Sequence, residues 1–512
     1  MERALVALIG FMGAGKSTAA AAAAALEGGV EPLDTDALLE GEFGTTIEEF
    51  FAAHGEGEFR RREEALATEL LTGADGGAIA LGGGSVLSPK VREALDRHTV
   101  VWLQVDAAEA WRRVVDAGRP LAVDEAAIEA LLGERLALYE ALADAAIMPA
   151  GHGAVERALP ALHALADLPP GTKLLWAASA SGEYPVLVGR GLLGAGWWPL
   201  EGRRFGVTDR AVGPLYAEHL GRLEALVEVP PGEGAKTMAE AERVLSELAR
   251  AGMTREDHLV ALGGGVVGDL AGFCAHTYQR GVPVVQLPTT LVAQVDSAYG
   301  GKTGVDLPEG KNYAGAYHLP AAVLADVEAL ATLPAADLAA GFVEALKTGL
   351  LAGGALWERV RAIEELDPAS LDDVVFACAR YKCGVVAADE RDAGLRQVLN
   401  LGHTVGHGIE AATGYARYRH GEAIGLGLLA ALRLSEATAL REEVEAILGR
   451  HGLPLRLDPA ISVEAVIEAL QRDKKRTAEG VPFVLLSAPG EPRTGQLVDP
   501  ARVRASVEEL LP

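Results

Sequence analysis

Residues 4–18, ALVALIGFMGAGKST, join an apolar run to a glycine-rich turn and a helix-forming segment. The turn, Gly10 to Ser17, matches G-x4-G-K-[ST], a loop whose backbone N–H groups surround phosphate at the amino end of a helix. Lys16 is then expected to reach the β and γ phosphates of a nucleotide, and the Ser17 hydroxyl to hold Mg²⁺. A chance glycine-rich turn is the alternative, but the flanking strand and helix patterns favour the phosphate loop.

The apolar start of the chain could also be taken for a secretory leader. It runs straight into the phosphate loop without a cleavage site, so a buried first strand is the better interpretation. Three cysteines cannot form a disulfide framework in a chain of this length, which favours a reducing, cytoplasmic compartment. Because no uninterrupted apolar run is long enough to cross a bilayer, we expect no membrane span.

Length and charge limit the class of protein further. The 512 residues are 49% hydrophobic, enough for sizeable cores in about three domains. Lys and Arg number 46 against 72 Asp and Glu, and the net charge of −26 disfavours binding to nucleic acid or anionic lipid. Only 10 of the 46 cations are lysines, and eight of them fall within the motifs described below. Coding bias explains their rarity but not this clustering, so we expect these lysines to act as lysines.

The pattern of apolar runs predicts two α/β regions followed by a helical one. Before the proline- and glycine-containing stretch 166–172, helical segments alternate with short apolar runs, as in a parallel sheet, and these runs predict strands at 4–9, 78–81 and 99–105. The alternation returns after that stretch, with strands predicted at 184–188, 205–208, 225–229, 258–262, 283–287 and 322–326. From about 335 to 480 the pattern is almost entirely helical. We therefore expect an α/β phosphate-loop domain over 1–165, a linker over 166–172, a second α/β part over 173–333 and a mostly helical part over 334–512.

Acidic, glycine and arginine motifs follow the phosphate loop in the first region. Taken singly, each of these residues could belong to a solvated turn or an exposed helix surface. In this order on one phosphate-loop fold, they form a coherent pattern. The set comprises Asp34, Asp36, Arg60, the turn Gly82 to Gly84, Arg119 and Arg135.

Together these motifs resemble shikimate kinase over essentially all of residues 1–165, which implies that this region is a P-loop kinase domain. The resemblance implies ATP-dependent phosphorylation of shikimate, a reaction in which positioning, Mg²⁺ and cations supply the catalysis. It implies that Asp36 orients the attacking hydroxyl, that two arginines pair the shikimate carboxylate, and that Asp34 lies near Mg²⁺. ATP would contact Gly13, Ala14, Gly15, Lys16, Ser17, Thr18 and, from a short lid, Arg119; shikimate would contact Asp36, Arg60, Gly83 and Arg135.

A second glycine turn, Gly263 to Asp269, follows a strand pattern and precedes a helical one. Such a turn suits a pyrophosphate, although its spacing differs from G-x-G-x-x-G, and a tight structural turn is the alternative. Two or three histidines and a glutamate from separate segments of the helical region could bind Zn²⁺ with positions left open, as in catalytic zinc sites. The candidate ligands are Glu344, His403, His407 and His420. Lys347 shares a helix face with Glu344, and His407 shares one with His403.

Further short motifs surround the second turn and the histidines. They include Pro288-Thr289-Thr290, Gly300-Gly301-Lys302, Gly310-Lys311-Asn312, Asn400-Leu401-Gly402-His403 and Asp473-Lys474-Lys475. With them, the chain resembles 3-dehydroquinate synthase from about Tyr184 to Ser487. The resemblance implies a Rossmann-like NAD-binding α/β part over 173–333 and a helical, metal-binding part over 334–512. It also implies NAD⁺ and Zn²⁺ or Co²⁺ as cofactors, with Glu344, His403 and His420 as the metal ligands.

The same resemblance assigns the remaining site residues. NAD⁺ would contact Glu233, Lys236, Gly265, Val266, Val267, Gly268, Asp269, Thr289, Thr290, Lys302, Lys311, Ala329, Leu330, Ala331 and Thr332. Catalytic and substrate contacts would come from Asp296, Lys302, Lys347, Lys382, Arg396, Asn400, His407 and Lys474, with Arg280 and Asn312 at the substrate phosphate.

The implied reaction converts 3-deoxy-D-arabino-heptulosonate 7-phosphate into 3-dehydroquinate and phosphate without net oxidation. A hydride passes to NAD⁺ and returns, phosphate leaves in between, and the ring opens and recloses as a carbocycle. Cations are needed because the substrate and the leaving group are anionic. The resemblance also implies a homodimer, with Arg280 reaching the phosphate across the interface. The whole chain would then join two non-consecutive steps of the shikimate pathway, acting on small molecules.

The chain departs from the synthase pattern at a few positions. Ala298 and Tyr299 stand where the family usually has Ser and Val or Ile, and Asp392 stands where we expect Glu. Two alternatives stay open: another enzyme of the synthase fold, either a cyclase for a different sugar phosphate or an alcohol dehydrogenase, or a first half kept only as a nucleotide-binding regulatory module. Net NADH formation would identify a dehydrogenase, and intact Lys16, Asp34 and Asp36 speak against the regulatory module.

Overall fold

The computed structural model describes residues 5–26, 31–73, 76–115, 121–149, 153–471 and 480–512. Within them the chain forms two compact units. The first comprises the residues up to Ala178 together with Glu183–Leu187, and the second comprises Ser179–Gly182 and the residues from Val188 to Pro512. The predicted linker 166–172 lies in turns between a helix and a strand of the first unit, and the division into four parts stays a prediction.

A largely parallel sheet with helices forms the first unit. Its strands are β1 (Val6–Ile9), β2 (Leu33–Asp34), β3 (Ala78–Ala80), β4 (Thr99–Leu103), β5 (Ala145–Ile147), β6 (Lys173–Ser179) and β7 (Gly182–Gly189), the last only in part. Its helices are α1 (Lys16–Leu26), α2 (Thr35–Phe43), α3 (Ile47–Gly73), α4 (Pro89–Leu95), α5 (Ala107–Val114), α6 (Glu125–Leu142) and α7 (Ala154–Ala164). The strand order is β2-β3-β1-β4-β5-β6-β7, with parallel pairing from β2 to β6.

The carboxyl ends of these strands bring the first set of motifs together. β1, β3 and β4 are buried along their whole length, as expected for strands whose two faces are both covered by helices. They confirm the strands predicted from the apolar runs. The phosphate loop follows β1, Asp34 ends β2 and Gly82 follows β3, so all three reach the same edge of the sheet.

The second unit combines a parallel sheet with a helical part. Its strands are β8 (Arg204–Asp209), β9 (Ala225–Val229), β10 (His258–Gly263), β11 (Val284–Pro288), β12 (Lys302–Leu307), β13 (Gly310–Tyr317), β14 (Ala322–Asp326), β15 (Pro482–Leu486) and β16 (Pro492–Leu497). Its helices are α8 (Gly213–Tyr216), α9 (Met238–Arg250), α10 (Gly265–Thr277), α11 (Ala335–Ala352), α12 (Gly354–Arg361), α13 (Asp372–Ala388), α14 (His403–Ala412), α15 (His420–Leu434), α16 (Thr438–Arg450), α17 (Val463–Gln471) and α18 (Pro500–Glu508).

Five parallel strands in the order β14-β11-β10-β8-β9 form the sheet of the second unit. The central strand β10 is fully buried, and α10 begins two residues after it, which places the second glycine turn at the carboxyl edge of the sheet. Beneath it, Phe205, Leu259 and Leu270 belong to one apolar core. The predicted α/β class with a helical carboxyl-terminal part is confirmed.

Helix α11 lies at the centre of the helical part. Every residue from Leu338 to Leu351 is buried, because the helix is apolar on nearly all sides. Glu344 and Lys347 are therefore carried by a rigid, solvent-excluded helix. None of the helices in the described ranges is long and apolar enough to cross a membrane.

Candidate active sites

The phosphate loop lines a cavity of about 610 Å³ in the first unit, together with Thr18, Asp34, Asp36 and Gly83. Gly13 and Gly15 have φ angles of 75° and 87°, a region that glycine enters without strain. The Lys16 ammonium donates to the carbonyl oxygens of Gly10 and Phe11 at 2.9 Å each, within the loop itself. The predicted nucleotide contacts that the structure describes thus share one cavity; Arg119 lies outside the described residues.

Asp34 shapes the entry to α2. Its carboxylate accepts hydrogen bonds from the backbone N–H groups of Asp36, at 2.9 Å, and Ala37, at 3.2 Å, and so caps the helix. The cap fixes the backbone of Asp36 at the cavity wall.

The triple-glycine turn brings the predicted shikimate residues together. A methyl group at Gly84 would overlap the Arg60 guanidinium, and one at Gly82 would overlap the Glu63 carboxylate and lie 3.0 Å from an Asp36 oxygen. From the other side, Arg135 donates to the Gly83 carbonyl oxygen at 3.2 Å. Since all of these groups surround three consecutive glycines, the absence of side chains there is what makes room for the cluster.

Three further residues of this region, for which no role was predicted, contact the loop or the predicted site residues. Glu63 is buried, pairs with Arg60 at 2.6 Å and accepts from the Ser85 hydroxyl at 3.0 Å. The Tyr139 hydroxyl donates to the Gly83 carbonyl oxygen at 2.6 Å, and burial raises its pKa to about 12. Arg113 lines the phosphate cavity and donates to the Gly13 carbonyl oxygen at 2.8 Å.

Helical spacing could have identified two of the three. Glu63 stands three residues after Arg60, and Tyr139 stands four residues after Arg135, so each shares a helix face with a predicted site residue. Burial lowers the pKa of Arg60, but the paired carboxylates of Glu63 and Glu56 outweigh it and raise that pKa. Arg113 has no comparable signal, because its partner lies 100 positions away in the chain.

A second cavity, of about 600 Å³, lies in the second unit. Four predicted cationic residues line it: Lys302, Lys347, Lys382 and Arg396. Asp296 lies between two ammonium groups, 2.7 Å from Lys382 and 4.0 Å from Lys347. Burial raises the pKa of Asp296, but the two cations outweigh it and lower that pKa. The predicted residues on its wall are Asp269, Asp296, Lys302, Asn312, Lys347, Lys382, Arg396, Asn400, His403, His407 and His420.

Backbone contacts hold Arg396 in place although it is almost fully buried. Its guanidinium donates to the carbonyl oxygens of Glu390, at 2.7 Å, and Gly300, at 3.2 Å. Asp392, one methylene shorter than the residue that we expected, still reaches Lys302, with 2.5 Å between carboxylate oxygen and ammonium.

Three predicted metal ligands converge beside this cavity. The Nε2 atoms of His403 and His420 lie 3.5 Å and 3.3 Å from Glu344 Oε1, and all three ligand atoms lie within 4.8 Å of one another. Gly421 makes this possible, because a methyl group there would overlap the Ala340 carbonyl of α11, one turn before Glu344. The close approach of α15 to α11 therefore brings His420 to the carboxylate.

The chemistry of this cluster fits a divalent transition-metal ion. Both carboxylate oxygens of Glu344 are buried without a hydrogen bond of good geometry among the described residues, although Lys347 Nζ lies 2.5 Å from Oε2 as an ion-pair partner. Burial lowers the pKa of His403 to about 3, which leaves the imidazole neutral. Burial also disfavours charged His420, but the adjacent carboxylates of Glu344 and Glu410 raise its pKa to about 10, so metal binding there would release a proton.

The second glycine turn is packed too closely for side chains. A methyl group at Gly264 would lie 2.8 Å from Thr290 Cγ2, and one at Gly265 would lie 2.9 Å from the Ser297 hydroxyl. Lys236 is buried and lies 3.0 Å from Glu233 and 3.1 Å from Asp269. Burial raises the pKa of Asp269 to about 6, against the lowering effect of Lys236.

The other predicted NAD⁺ contacts occupy neighbouring elements. Lys311 approaches Glu233 to 3.8 Å. In the 329–332 segment, the Tyr216 hydroxyl lies 3.2 Å from the Ala329 carbonyl oxygen and 2.7 Å from the Thr332 hydroxyl.

One predicted substrate residue in the described ranges does not line the cavity of this chain. Arg280 is exposed beyond the carboxyl end of α10, a helix about 20 Å long that starts at the glycine turn. It is absent from the residues that line the cavity, in agreement with its expected role across a dimer interface, which stays a prediction. Lys474 lies outside the described residues.

A further cavity of about 660 Å³ contains none of the predicted residues. It lies beside the beginning of β8, and Trp198 and Arg204 line it. Its size exceeds that of the other two, but it gathers no cluster of catalytic groups among the described residues. We therefore base the function on the two cavities described above.

Comparison with known proteins identifies the second part of the chain. Family models match consecutive stretches: shikimate kinase over residues 12–161, 3-dehydroquinate synthase N-terminal over 226–340, and 3-dehydroquinate synthase C-terminal over 341–476. A 3-dehydroquinate synthase from Symbiobacterium thermophilum is 43% identical over 351 residues, 64% of this chain and 98% of that protein. The chain belongs to the 3-dehydroquinate synthase family. With the kinase match, one polypeptide carries both a shikimate kinase and a 3-dehydroquinate synthase domain.

Two solved synthase structures are similar to the second part of the chain. A 2-epi-5-epi-valiolone synthase from Streptomyces hygroscopicus, with NAD⁺ and Zn²⁺ bound, is 27% identical with a TM-score of 0.58, covering 65% of this chain and 99% of that one. A 2-deoxy-scyllo-inosose synthase is 24% identical with a TM-score of 0.60, covering 66% and 100%, and supports the fold alone.

Proposed function

We propose that the first unit phosphorylates shikimate with ATP and Mg²⁺, and that the second converts 3-deoxy-D-arabino-heptulosonate 7-phosphate into 3-dehydroquinate and phosphate. The convergence of Glu344, His403 and His420 beside a cation-lined cavity supports the second reaction most directly. The arrangement suits a multiply anionic substrate bound next to a divalent ion. Zn²⁺ or Co²⁺ and NAD⁺ are the proposed cofactors.

In the kinase site, Lys16 and the loop N–H groups hold the ATP phosphates, and Ser17 with Asp34 holds Mg²⁺. Arg60 and Arg135 pair the shikimate carboxylate. Asp36 then orients the hydroxyl that attacks the γ phosphate, beside the glycine turn where all three groups meet. Phosphoryl transfer needs little more from the protein than this positioning and charge neutralisation.

In the synthase site, the bound ion would polarise an alcohol oxygen of the substrate, and NAD⁺ would supply the hydride acceptor. Lys347, Lys382 and Arg396 neutralise the substrate's negative charges. Asp296, held ionised between its two lysines, fixes their geometry and can accept a hydrogen bond from a substrate hydroxyl. His407 and Asn400 line the same wall and are placed to hold or move protons during the loss of phosphate.

The assembly and location of the enzyme are also part of the proposal. Arg280 does not line the cavity of its own chain, which supports a homodimer in which it serves the partner's. A cytoplasmic location agrees with three buried cysteines that form no disulfide.

The first experiment measures phosphate release from 3-deoxy-D-arabino-heptulosonate 7-phosphate with NAD⁺, and identifies the product by mass. We expect 3-dehydroquinate without net NADH, loss of turnover with a Zn²⁺-selective chelator, and recovery on adding Zn²⁺ or Co²⁺. Net NADH would contradict the cyclase reaction. Turnover of only another sugar phosphate would contradict the proposed substrate, and attention would then fall on Tyr299.

A further inference from the structure

Glu410, on α14, is a buried carboxylate with no assigned role. Only 3% of the residue is exposed. Its Oε2 atom lies 3.4 Å from His420 Nδ1, and its Oε1 atom lies 3.4 Å from Lys311 Nζ. A buried carboxylate is costly unless such partners compensate for the lost water, so its position between a proposed metal ligand and a lysine calls for an explanation.

The two proposed histidine ligands are oriented in the same way. Each turns Nε2 toward Glu344 Oε1 and turns Nδ1 toward a second oxygen. For His403 that oxygen is the Leu401 carbonyl, at 3.1 Å; for His420 it is the Glu410 carboxylate, at 3.4 Å. A histidine binds a metal through its unprotonated nitrogen, and the acceptor at the other nitrogen sets which one that is.

We propose that Glu410 is a positioning residue that accepts the Nδ1–H of His420 and so keeps Nε2 directed at the metal ion. Lys311 holds the carboxylate from its other oxygen and fixes its rotation. This inference rests on the proposed function, since it requires a metal ion at Glu344, His403 and His420.

Direct ligation by Glu410 is the competing arrangement. His407, Glu410 and His420 also have ligand atoms within 4.8 Å of one another. To complete that set, His420 would have to offer Nδ1 to the ion, and the Glu344 site would lose its third ligand unless the imidazole bridged two ions. Because Nε2 of both His403 and His420 already converges on Glu344, the geometry favours an outer role for Glu410.

The test compares divalent-metal affinity in the full-length wild type and in Glu410→Gln, each stripped of metal first. Competition with a chromophoric chelator gives the Zn²⁺ dissociation constant. We expect a constant 10- to 100-fold larger for Glu410→Gln, because loss of an outer carboxylate typically costs about that much. Far-UV circular dichroism of the metal-stripped proteins should be unchanged, and Co²⁺ absorption bands at saturation should keep their positions, since the ligand set is the same.

The matched control is Glu443→Gln, which alters a partly exposed carboxylate paired with Arg361, away from the cavity. Its Zn²⁺ affinity should equal that of the wild type. Equal affinity in Glu410→Gln would overturn the positioning role, and shifted Co²⁺ bands would favour direct ligation instead. Absence of divalent-metal binding in the wild type would overturn the proposed function together with this inference.

A measurement without substitution covers the case in which Glu410→Gln does not fold. In ¹⁵N-histidine spectra of the Zn²⁺-loaded wild type, we expect His420 to carry its proton on Nδ1 and its metal on Nε2. The reverse assignment would contradict the inference.

Discussion

Tyr299 stands where the family resemblance led us to expect Val or Ile, and the structure gives it a specific contact. Its buried hydroxyl donates to the Gln294 carbonyl oxygen at 2.6 Å. Gln294 belongs to a π-helical turn, Ala293–Ser297, that also carries Asp296. Such turns are rare in proteins overall, but those that occur are often at functional sites. Tyr299 thus ties down the backbone that presents Asp296 to the two lysines.

We expect Tyr299→Phe to lower kcat/KM of the synthase reaction several-fold and to destabilise the protein by about 1 kcal/mol, the usual net worth of one hydrogen bond. Steady-state phosphate release and urea unfolding measure the two effects. Tyr278→Phe is the matched control, because its buried hydroxyl donates to the Met253 carbonyl at 2.8 Å outside the cavity. It should show the stability loss alone; equal kcat/KM losses in both variants would contradict a local role for Tyr299.

Gly84 leads to a prediction about the kinase site. An added methyl group would overlap the Arg60 guanidinium and displace it, whereas the phosphate loop lies elsewhere on the cavity wall. We expect Gly84→Ala to raise the KM for shikimate at least about tenfold, the equivalent of about 1.4 kcal/mol, with little change in the KM for ATP. Gly57→Ala, on the same helix as Arg60 and with open space around the new methyl group, should leave both constants unchanged. An increase in the KM for ATP alone would contradict the assignment.

At the scale of elements, strand β10 begins with a buried histidine that titrates abnormally. The Trp198 indole N–H donates to His258 Nε2 at 2.7 Å, which requires that nitrogen to be unprotonated. Burial, and then the nearby Arg204, lower the pKa of His258 from 6.5 to about 4. In the unfolded chain the same side chain titrates near its ordinary value, so below that value the unfolded state binds the extra proton.

Neutral His258 therefore makes its whole contribution to the free energy of unfolding above about pH 6.5. As the pH falls toward 4, the free energy of unfolding decreases by up to about 3 kcal/mol on account of this residue. Urea unfolding at a series of pH values measures it. His258→Gln should flatten this part of the profile, since glutamine does not titrate. His219→Gln, at an exposed histidine of the same unit, should keep the wild-type slope. A wild-type slope in His258→Gln would show that other groups govern the acid limb.

The sequence predicted most elements but not their contacts. Strands β8, β9, β10, β11 and β14 match the apolar runs, because buried parallel strands are continuous hydrophobic stretches. The hairpin β12–β13 was not predicted: its segments are rich in glycine and polar residues, and their pairing is set by neighbours distant in the chain. The motifs identified the candidate residues, whereas the place of Asp296 between two lysines and of Glu410 behind His420 depends on tertiary packing.

For the whole molecule, two sites in separate compact units predict separable activities. Lys16→Met should abolish ATP-dependent shikimate phosphorylation and leave phosphate release by the synthase within twofold of wild type. His403→Ala should abolish phosphate release by the synthase and leave shikimate phosphorylation within twofold of wild type, because it removes a proposed metal ligand far along the chain from the phosphate loop. Parallel assays of both variants with both substrates measure this. Loss of only synthase activity in Lys16→Met would favour the regulatory alternative for the first unit.

The scarcity and burial of lysine have a practical consequence for amine-reactive reagents. Among the eight lysines in the described ranges, Lys236, Lys347 and Lys382 are 4%, 1% and 8% exposed, whereas the side chain of Lys90 is 71% exposed. Acylation of the native protein should therefore mark Lys90 early and leave those three largely unmodified. Peptide mass mapping after brief labelling would then report on the integrity of the second unit, because these three buried lysines become reactive only when their surroundings open.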